Sequence, residues 1–263
     1  MENLKLIDVH CHLEWKDFAN NIDEVINRSK SSGILAIITS SISVDSAYET
    51  LNLIDKYKDY VYATCGFAPS EFKRNKNEFE KYLDFLKNNY EKFVGIGEIG
   101  LDFYWIRDIE LRKYSEEKFI ETLQLANKLN KPIVIHCRDA EKRAIEIIED
   151  YYTGDKVHMH CFSGTLYLIK RCLKNGWYFS IPTSAINRKH HKILAKEVPI
   201  EQMMLETDAP FLSPITNQKI NESKNIQLTA KYISELKNID IQKIAEITTQ
   251  NAINFYDLKI KNN

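Results

Sequence analysis

The sequence predicts a (β/α)8 barrel of the TIM type that takes up the whole chain, residues 1–263, as one domain. Three observations lead to this prediction. Short apolar runs recur eight times, amphipathic segments separate them, and side chains able to bind metals stand at the ends of several runs. Eight strands alternating with helices in roughly 250 residues are typical of such barrels. Unbroken apolar runs are expected of parallel strands that are covered on both faces.

Each predicted strand is a short run rich in β-branched or aromatic residues. The eight strands are 4–10, 34–40, 60–66, 93–100, 132–137, 156–162, 177–182 and 202–208. Segments such as "EFEKYLDFLKNNYEKF" and "EEKFIETLQLANKLNK", which lie between them, have the spacing of amphipathic helices. A polar loop at 213–224 and two closing helices complete the predicted fold.

The overall charge excludes two classes of protein. Charged residues make up 28% of the chain, but the formal net charge is only −1. This balance excludes a globally basic nucleic-acid binder and an acidic disordered tail. If the substrate is polyanionic, its positive partners must therefore be a few local side chains or metal ions.

The cysteines and the N-terminus indicate a cytoplasmic protein. Five cysteines without a CxxC pair are typical of reduced thiols rather than of a disulfide framework. The segment "MENLKLIDV" has neither the basic nor the long apolar region of a signal peptide. No apolar run reaches the roughly 18 residues that a membrane-spanning helix needs. No membrane association and no obligate protein partner are expected.

Histidines spaced by one residue end the first strand, in "LKLIDVHCHLEW". Alternate side chains of a strand point to the same side, so His10 and His12 are expected to share a side and Cys11 to face away. Two imidazoles at one strand end can bind the same metal ion. The alternative is a pair of polar residues that only terminates the strand.

Further strands also end in potential ligands, and this favours a metal site. Functional residues of (β/α)8 barrels lie at the carboxyl ends of the strands, so these side chains should converge. The chain has seven histidines, and four of them belong to the set. The six predicted metal ligands are His10, His12, Glu98, His136, His160 and Asp208.

The mixture of imidazole and carboxylate suits Zn, Mn, Fe or Ni better than Ca. Six ligands exceed the three that one catalytic zinc usually takes from protein, so we expect two divalent ions, with Mg as a further candidate. Glu98, midway around the barrel, is the predicted bridge. Asp208, on the last strand, is predicted to bind metal and to orient or deprotonate the attacking water. Paired metals of this kind catalyse phosphoryl displacement.

Five motifs in order resemble the signatures of the TatD family of metal-dependent hydrolases, which is similar to the amidohydrolase superfamily in fold. They are "DVHCHL", "GEIGLDFY", "PIVIHCRDA", "HCFSG" and "ETDAPFLSP", spanning residues 8–214. The resemblance implies the same six ligands. It also implies a deoxyribonuclease, expected to be a 3′→5′ exonuclease on single-stranded DNA with RNA as the alternative substrate, and catalysis by Glu98 and Asp208.

Three segments depart from the family pattern. "GFAPSEF" has Ala68 where the family often has His, "INESK" has Ser223 where it often has Pro, and "WYFSIPTSAI" lacks the usual glycine. Because these changes concern the rim more than the ligands, hydrolysis is expected to be retained while substrate preference changes.

Several other polar residues receive structural interpretations. His158 is predicted to lie one layer below His160 and to bond a neighbour, and Asp8 and Glu206 are predicted to support the ligands. His190 and His191 are expected at the surface, because adjacent residues of a helix do not share a face.

The loops at the strand ends leave alternatives open. Arg138 either binds a substrate phosphate or pairs with a carboxylate such as Asp139 or Glu98. Asp102 and Tyr104 either shape a loop over the site or have a purely structural role. Aromatic residues on these loops either stack on bases or pack against the scaffold, namely Trp15, Phe67, Phe103 and Trp105.

Two rival functions follow from the same residues. The first is an amidohydrolase-type enzyme acting on a small ester, lactone or amide. Many such barrels use a carboxylated lysine as the bridge, whereas Lys92 lies at the far end of the fourth strand from Glu98. The second is a metal-binding scaffold with a relic site, which an intact set of six ligands disfavours.

Overall fold

Residues 4–260 are described here from a computed structural model of the chain. Eight parallel strands form one sheet in sequence order. The strands are Leu6–Cys11 (β1), Ile34–Ser41 (β2), Val61–Cys65 (β3), Gly95–Asp102 (β4), Ile133–Arg138 (β5), Val157–Met159 (β6), Tyr178–Pro182 (β7) and Met203–Glu206 (β8). All eight lie within the predicted runs or extend them by one or two residues, and the predicted barrel class is confirmed.

Helices connect the strands and follow the last one. They are Ile22–Ser31 (α1), Val44–Lys56 (α2), Glu71–Asn75 (α3), Phe79–Asn89 (α4), Ile109–Leu129 (α5), Glu141–Tyr151 (α6), Leu166–Lys174 (α7), Lys189–Glu197 (α8), Ile226–Lys237 (α9) and Ile241–Tyr256 (α10). The last two are the predicted closing helices. No helix within the described part of the chain is both long and apolar enough to cross a membrane.

Two backbone hydrogen bonds join the last strand segment to the first. The N–H of Asp208 donates to the carbonyl of His10 at 2.9 Å, and the N–H of His12 donates to the carbonyl of Ala209 at 2.7 Å. The carboxylate of Asp8 adds two more bonds, accepting from the N–H of Thr207 at 2.9 Å and from its hydroxyl at 2.5 Å. These bonds close the barrel at the end where the predicted ligands lie.

Two strands end earlier than the apolar runs predict. The sixth run was expected to continue to residue 162 and the eighth to 208, but β6 ends at Met159 and β8 at Glu206. Cys161 and Asp208 have φ values of 45° and 55°, which lie outside the extended region of a strand. The chain therefore turns where His160 and Asp208 enter the site.

Glycines allow strands to approach closely around β4. A Cβ on Gly66 would lie 2.3 Å from the backbone of Glu98, and a Cβ on Gly100 would lie 2.1 Å from the carbonyl oxygen of His136. Gly100 also has a φ of 136°, which side-chain-bearing residues rarely adopt. The glycine-rich sequence "GIGEIG" thus lets β4 place Glu98 between its neighbours.

The apolar core lies in two layers. The larger cluster fills the space between the strands and the surrounding helices and includes Cys11, which faces away from the histidines as predicted. A smaller cluster joins Ile38 and Val134 to Phe255 and Tyr256 at the end of α10. Val134 precedes His136 by two residues, so this cluster lies one layer below the polar side chains and gives them a rigid base.

Candidate metal centre

The six predicted ligands lie within their strands or directly after them. His10, Glu98 and His136 lie within strands, whereas His12, His160 and Asp208 lie one or two residues beyond strand ends. Three of the four histidines and Glu98 are buried, while His136 and Asp208 are partly exposed. The chain therefore brings the six residues together, with one side of the group open toward solvent.

Glu98 is shared by three histidines. Its Oε2 lies 3.3 Å from Nε2 of His160, 3.6 Å from Nε2 of His10 and 3.8 Å from Nδ1 of His136. Two ligands of one tetrahedral metal, each at 2.0–2.2 Å from it, lie roughly 3.4 Å apart. The separations around Glu98 therefore match ligands that share an ion.

Asp208 forms a second group of potential ligands. Its Oδ1 lies 3.4 Å from Nε2 of His12 and 3.8 Å from Nε2 of His10. The ligand atoms of His10, His12 and Asp208 form one compact set, and those of Glu98, His136 and His160 form another. The pair His10–Glu98 connects the two sets, so the geometry is suited to two ions with a shared carboxylate.

Hydrogen bonds on the far side of three rings determine which nitrogen faces the site. Nδ1–H of His12 donates to the carbonyl of Ser40 at 2.9 Å, and Nδ1–H of His160 donates to Glu206 at 3.2 Å. Nε2–H of His136 donates to Asp102 at 3.0 Å. In each neutral ring the unprotonated nitrogen is then directed toward Glu98 or Asp208.

Without a cation in the site, a ring nitrogen that faces a carboxylate must carry a proton, because two lone pairs at this distance repel. Nε2 of His10 is also buried without any hydrogen-bond partner. A buried polar atom left unpaired costs about 1–3 kcal/mol. A divalent cation between the rings and the carboxylates would satisfy all of these atoms, so the side chains present fit the metals that the sequence predicts.

The electrostatics of the site also favour a cation. Burial disfavours charge on His160, but Glu206 and Glu98 outweigh it and raise the pKa of this ring to about 10. Burial likewise opposes charge on Glu98, but the bond from His160 and the neighbouring histidines lower its pKa to about 2. Burial, aided by the surrounding imidazoles, lowers the pKa of His10 and keeps this ring neutral. The carboxylates thus attract positive charge, which a proton on His160 supplies when no metal is bound and which the neutral His10 ring does not supply.

Asp102 has a more direct part in the site than the sequence interpretation gave it. One carboxylate oxygen accepts from Nε2–H of His136, and the other accepts from the N–H of Trp105 at 2.9 Å. The signal was present in the sequence, because Asp102 follows Glu98 by four residues and a strand returns to the same side every second residue. Asp102 therefore orients a predicted ligand and holds the loop after β4.

The supporting residues behave as the sequence predicts. Asp8 accepts from the N–H and the hydroxyl of Thr207, and Glu206 accepts from Nδ1–H of His160. His158 lies below the site. Its two nitrogens bond the hydroxyl of Tyr256 at 2.6 Å and that of Ser180 at 2.5 Å. Because both ring nitrogens are used, His158 has no free ligand atom for a metal.

The prediction that His190 and His191 both lie at the surface was wrong for His191. His190 is exposed, but His191 is buried, with Nδ1 2.7 Å from the hydroxyl of Ser184 and Nε2 3.6 Å from Sγ of Cys161. The two neighbours point in different directions on α8, as expected, and this places one of them in the interior. Cys161 is itself only partly buried, whereas the other four cysteines are buried.

Arg138 pairs with no carboxylate in the described residues. Its guanidinium carbon instead lies 3.7 Å from the ring centroid of Tyr104.

The aromatic residues of the strand-end loops differ in burial. Phe67 is buried against Phe72 and Phe79, whereas Trp105 is exposed.

The three segments that depart from the family pattern have structural roles near the rim. Ala68 is buried and bonds the carbonyl of Ile42 through its N–H. Asn221, in "INESK", bonds the carbonyl of Thr207 and the hydroxyl of Thr183. The first contact joins the segments after β2 and β3, and the others join those after β7 and β8, without involving the predicted ligands.

Comparison with known proteins agrees with the fold and with a metal-dependent hydrolase. The model of the TatD-related DNase family matches residues 7–257. An uncharacterized metal-dependent hydrolase of Methanocaldococcus jannaschii is 37% identical over 260 residues, which are 99% of this chain and 100% of that protein. Human deoxyribonuclease TATDN3 is 30% identical, over 95% of this chain and 94% of its own.

Solved structures agree as well. A TatD homologue from Escherichia coli has a TM-score of 0.87 at 21% identity, with 97% of this chain and 98% of that chain covered. The family model and the relatives together identify a metal-dependent hydrolase. The chain belongs to the TatD-related DNase family, as its motifs predict.

Proposed function

We propose that this protein is a two-metal phosphodiester hydrolase that removes nucleotides from the 3′ end of single-stranded DNA, with RNA as a further possible substrate. Relatives named deoxyribonucleases support the substrate class. In this proposal the metals are Zn, Mn, Mg, Ni or Fe, and no protein partner is required.

One observation carries the proposal. A single oxygen of Glu98 lies within 3.3–3.8 Å of ring nitrogens from three different strands. A carboxylate in this position can neutralise charge on two ions at once. A site for one catalytic ion would not need six ligands of this kind.

Each ligand has a defined part in the proposed reaction. His10, His12 and Asp208 would hold one ion, His136 and His160 the other, and Glu98 both. When bound, the two ions would supply Lewis acidity to the phosphate and lower the pKa of an attacking water. Asp208, which is partly exposed, would accept the proton of that water. Arg138, two residues after His136, is proposed to contact a substrate phosphate.

The proposed preference for single strands follows from the position of the site. Glu98 and three of the histidines are buried inside the mouth of the barrel. A terminal phosphodiester can reach them only as a flexible strand, so a duplex end must first unpair.

The direct test incubates the metal-reconstituted protein with end-labelled DNA and RNA, single- and double-stranded, and resolves the products on a gel. A 5′-labelled single strand should give a ladder that shortens with time, and a circular single strand should stay intact. Rapid cutting of the circle would rule out an exonuclease while leaving metal-dependent hydrolysis in place.

Matched variants connect any activity to the site. Glu98→Gln should abolish cleavage, whereas Glu235→Gln, at an exposed position on α9, should leave it unchanged. Turnover of an ester, lactone or amide without cleavage of nucleic acid would favour the amidohydrolase-type alternative. Metal binding without turnover of either kind would favour a relic site.

A further inference from the structure

We propose that a groove beside the metal centre binds unpaired nucleotides of the substrate strand as it leaves the site. We call it the rim groove and define it by Lys73, Tyr104, Trp105, Arg107 and Arg138. This inference rests on the proposed function, because it assigns a binding surface to the same substrate.

The first argument is the exposure of two aromatic rings. Tyr104 is 37% exposed and Trp105 is 50% exposed, although both follow a fully buried strand. Their rings lie 5.0 Å apart at 83° to each other. The guanidinium of Arg138 covers Tyr104 from 3.7 Å, and Arg107 lies 5.9 Å from the same ring. Exposed aromatic rings together with Arg are the typical elements of a platform on which bases stack.

The second argument is the space beside these rings. A cavity of about 410 Å³ lies between the loop after β4 and the α3 segment, and Lys73, Trp105 and Arg107 line it. A second hollow of about 630 Å³ shares Lys73 and Leu111 with the first and continues along Lys76. Volumes of 300–1,000 Å³ accommodate small organic ligands. The two hollows therefore adjoin each other along α3 and the start of α5, and the first of them is lined by Tyr104 and Trp105.

The third argument is the local charge. Lys73, Arg107 and Arg138 are exposed and make no ion pair with a carboxylate within residues 4–260. Arg74, which lies next to Lys73, is by contrast paired with Glu71 at 3.0 Å. Asp108 also lines the groove, but its carboxylate accepts from the N–H of Leu111 at the start of α5. Three exposed cations without a carboxylate partner therefore lie beside the two exposed rings, in a chain whose net charge is −1.

The fourth argument is the direct connection to the metal centre. Asp102 bonds His136 through one oxygen and the N–H of Trp105 through the other. The N–H of Phe103 bonds the carbonyl of Arg138 at 2.9 Å. The two rings are thus fixed relative to a predicted ligand. A base stacked on Tyr104 or Trp105 would therefore hold the nucleic-acid backbone at a fixed position relative to the metal centre.

These features fit one occupant best. Bases in a duplex are already stacked and cannot offer a free face to Trp105. An acidic peptide would match the cations but not the aromatic rings. The rim groove is therefore assigned to single-stranded nucleic acid.

Binding can be measured without cleavage. Metal-loaded protein is titrated into a fluorescent oligothymidylate with cleavage-resistant phosphorothioate linkages, and anisotropy is recorded at several salt concentrations. Three phosphates on the three cations, at about −0.7 each, predict a slope of log K against log salt of about −2. The double variant Lys73→Gln/Arg107→Gln should reduce this slope by about 1.4.

Loss of an aromatic ring should have a different effect on binding from loss of the cations. Trp105→Ala should weaken binding about tenfold, because one stacked base is lost, and should leave the salt slope unchanged. The loss should be much smaller for a duplex of the same sequence. Tyr151→Ala and Lys128→Gln, at the ends of α6 and α5 that lie away from the mouth, serve as controls and should change neither affinity nor slope.

The outcomes separate this inference from the proposed function. Wild-type affinity and slope in correctly folded rim variants, checked by circular dichroism, would overturn the rim groove even if the enzyme cleaves DNA. The predicted losses in a protein that cleaves no nucleic acid would support the groove and overturn the proposed reaction. Equal losses for single strand and duplex would overturn the stacking platform.

Discussion

Nε2 of His160 lies 3.3 Å from Oε2 of Glu98, while Nδ1 of the same ring is bound to Glu206 at 3.2 Å. With a pKa of about 10, the ring carries a proton on each nitrogen when no metal is bound and donates to both carboxylates. A cation held between His160 and Glu98 would take the place of the Nε2 proton, and this relationship leads to the first prediction.

Reconstituted protein should contain two metal ions per chain, as measured by elemental analysis. Glu98→Gln should lose tight binding of both ions, because the neutral amide no longer balances their charge. Glu235→Gln is the matched control and should retain both. Saturation of the wild type at one ion per chain would show that Glu98 does not bridge.

Asp208→Asn should separate binding from catalysis. The amide oxygen can still contact an ion beside His12, but it cannot accept a proton from water. We expect metal content close to wild type and a rate of cleavage lowered by roughly 10²–10⁴, the usual contribution of a general base. Near-normal turnover in this variant would assign the proton transfer to another group.

Asp102→Asn should lower the affinity for one metal ion more than the affinity for the other. The amide can still accept from the N–H of Trp105, but an NH2 group directed at His136 cannot accept its Nε2 proton. Losing such a support typically costs 10–100-fold in metal affinity. Calorimetric titration should therefore resolve one weakened site, whereas Asp108→Asn, which affects only the start of α5, should leave both affinities unchanged.

Tyr256→Phe should lower stability without affecting the metals. The change leaves Nδ1 of the buried His158 without its partner at 2.6 Å, at a cost of about 1–3 kcal/mol in the free energy of unfolding. Urea denaturation of metal-loaded protein, with Tyr151→Phe as control, measures this loss. A parallel fall in metal content would instead connect His158 to the metal centre.

The sequence was sufficient for the fold class and the location of the site. The alternation of apolar runs and helices predicts parallel strands, and parallel strands in a barrel bring their carboxyl ends to one mouth. Residues as distant in the chain as His10 and Asp208 could therefore be grouped before any coordinates were considered. The family motifs lie in the same short segments, which contain the strand ends and the predicted ligands.

Side-chain orientation could not be predicted from the sequence. Whether a ring presents Nδ1 or Nε2 depends on what lies behind it. The partner of His136 comes from the neighbouring strand β4, and that of His160 comes from β8, two strands away. The burial of His191 depends in the same way on Ser184 and Cys161, which the helix packing brings next to it. The hydrophobic periodicity and the composition of the sequence contain no information on such contacts.

The position of Arg138 is the clearest case. From the sequence, a phosphate contact and an ion pair with Asp139 or Glu98 were equally acceptable, because all three partners lie within reach of a long side chain. The tertiary structure instead stacks its guanidinium on Tyr104, which leaves the charge exposed beside Trp105. The sequence by itself thus determined the barrel and the six side chains at its mouth, because strand periodicity and parallel topology are local rules. The atoms that these side chains offer and the groove beside them were decided only by tertiary packing, because they depend on partners distant in the chain.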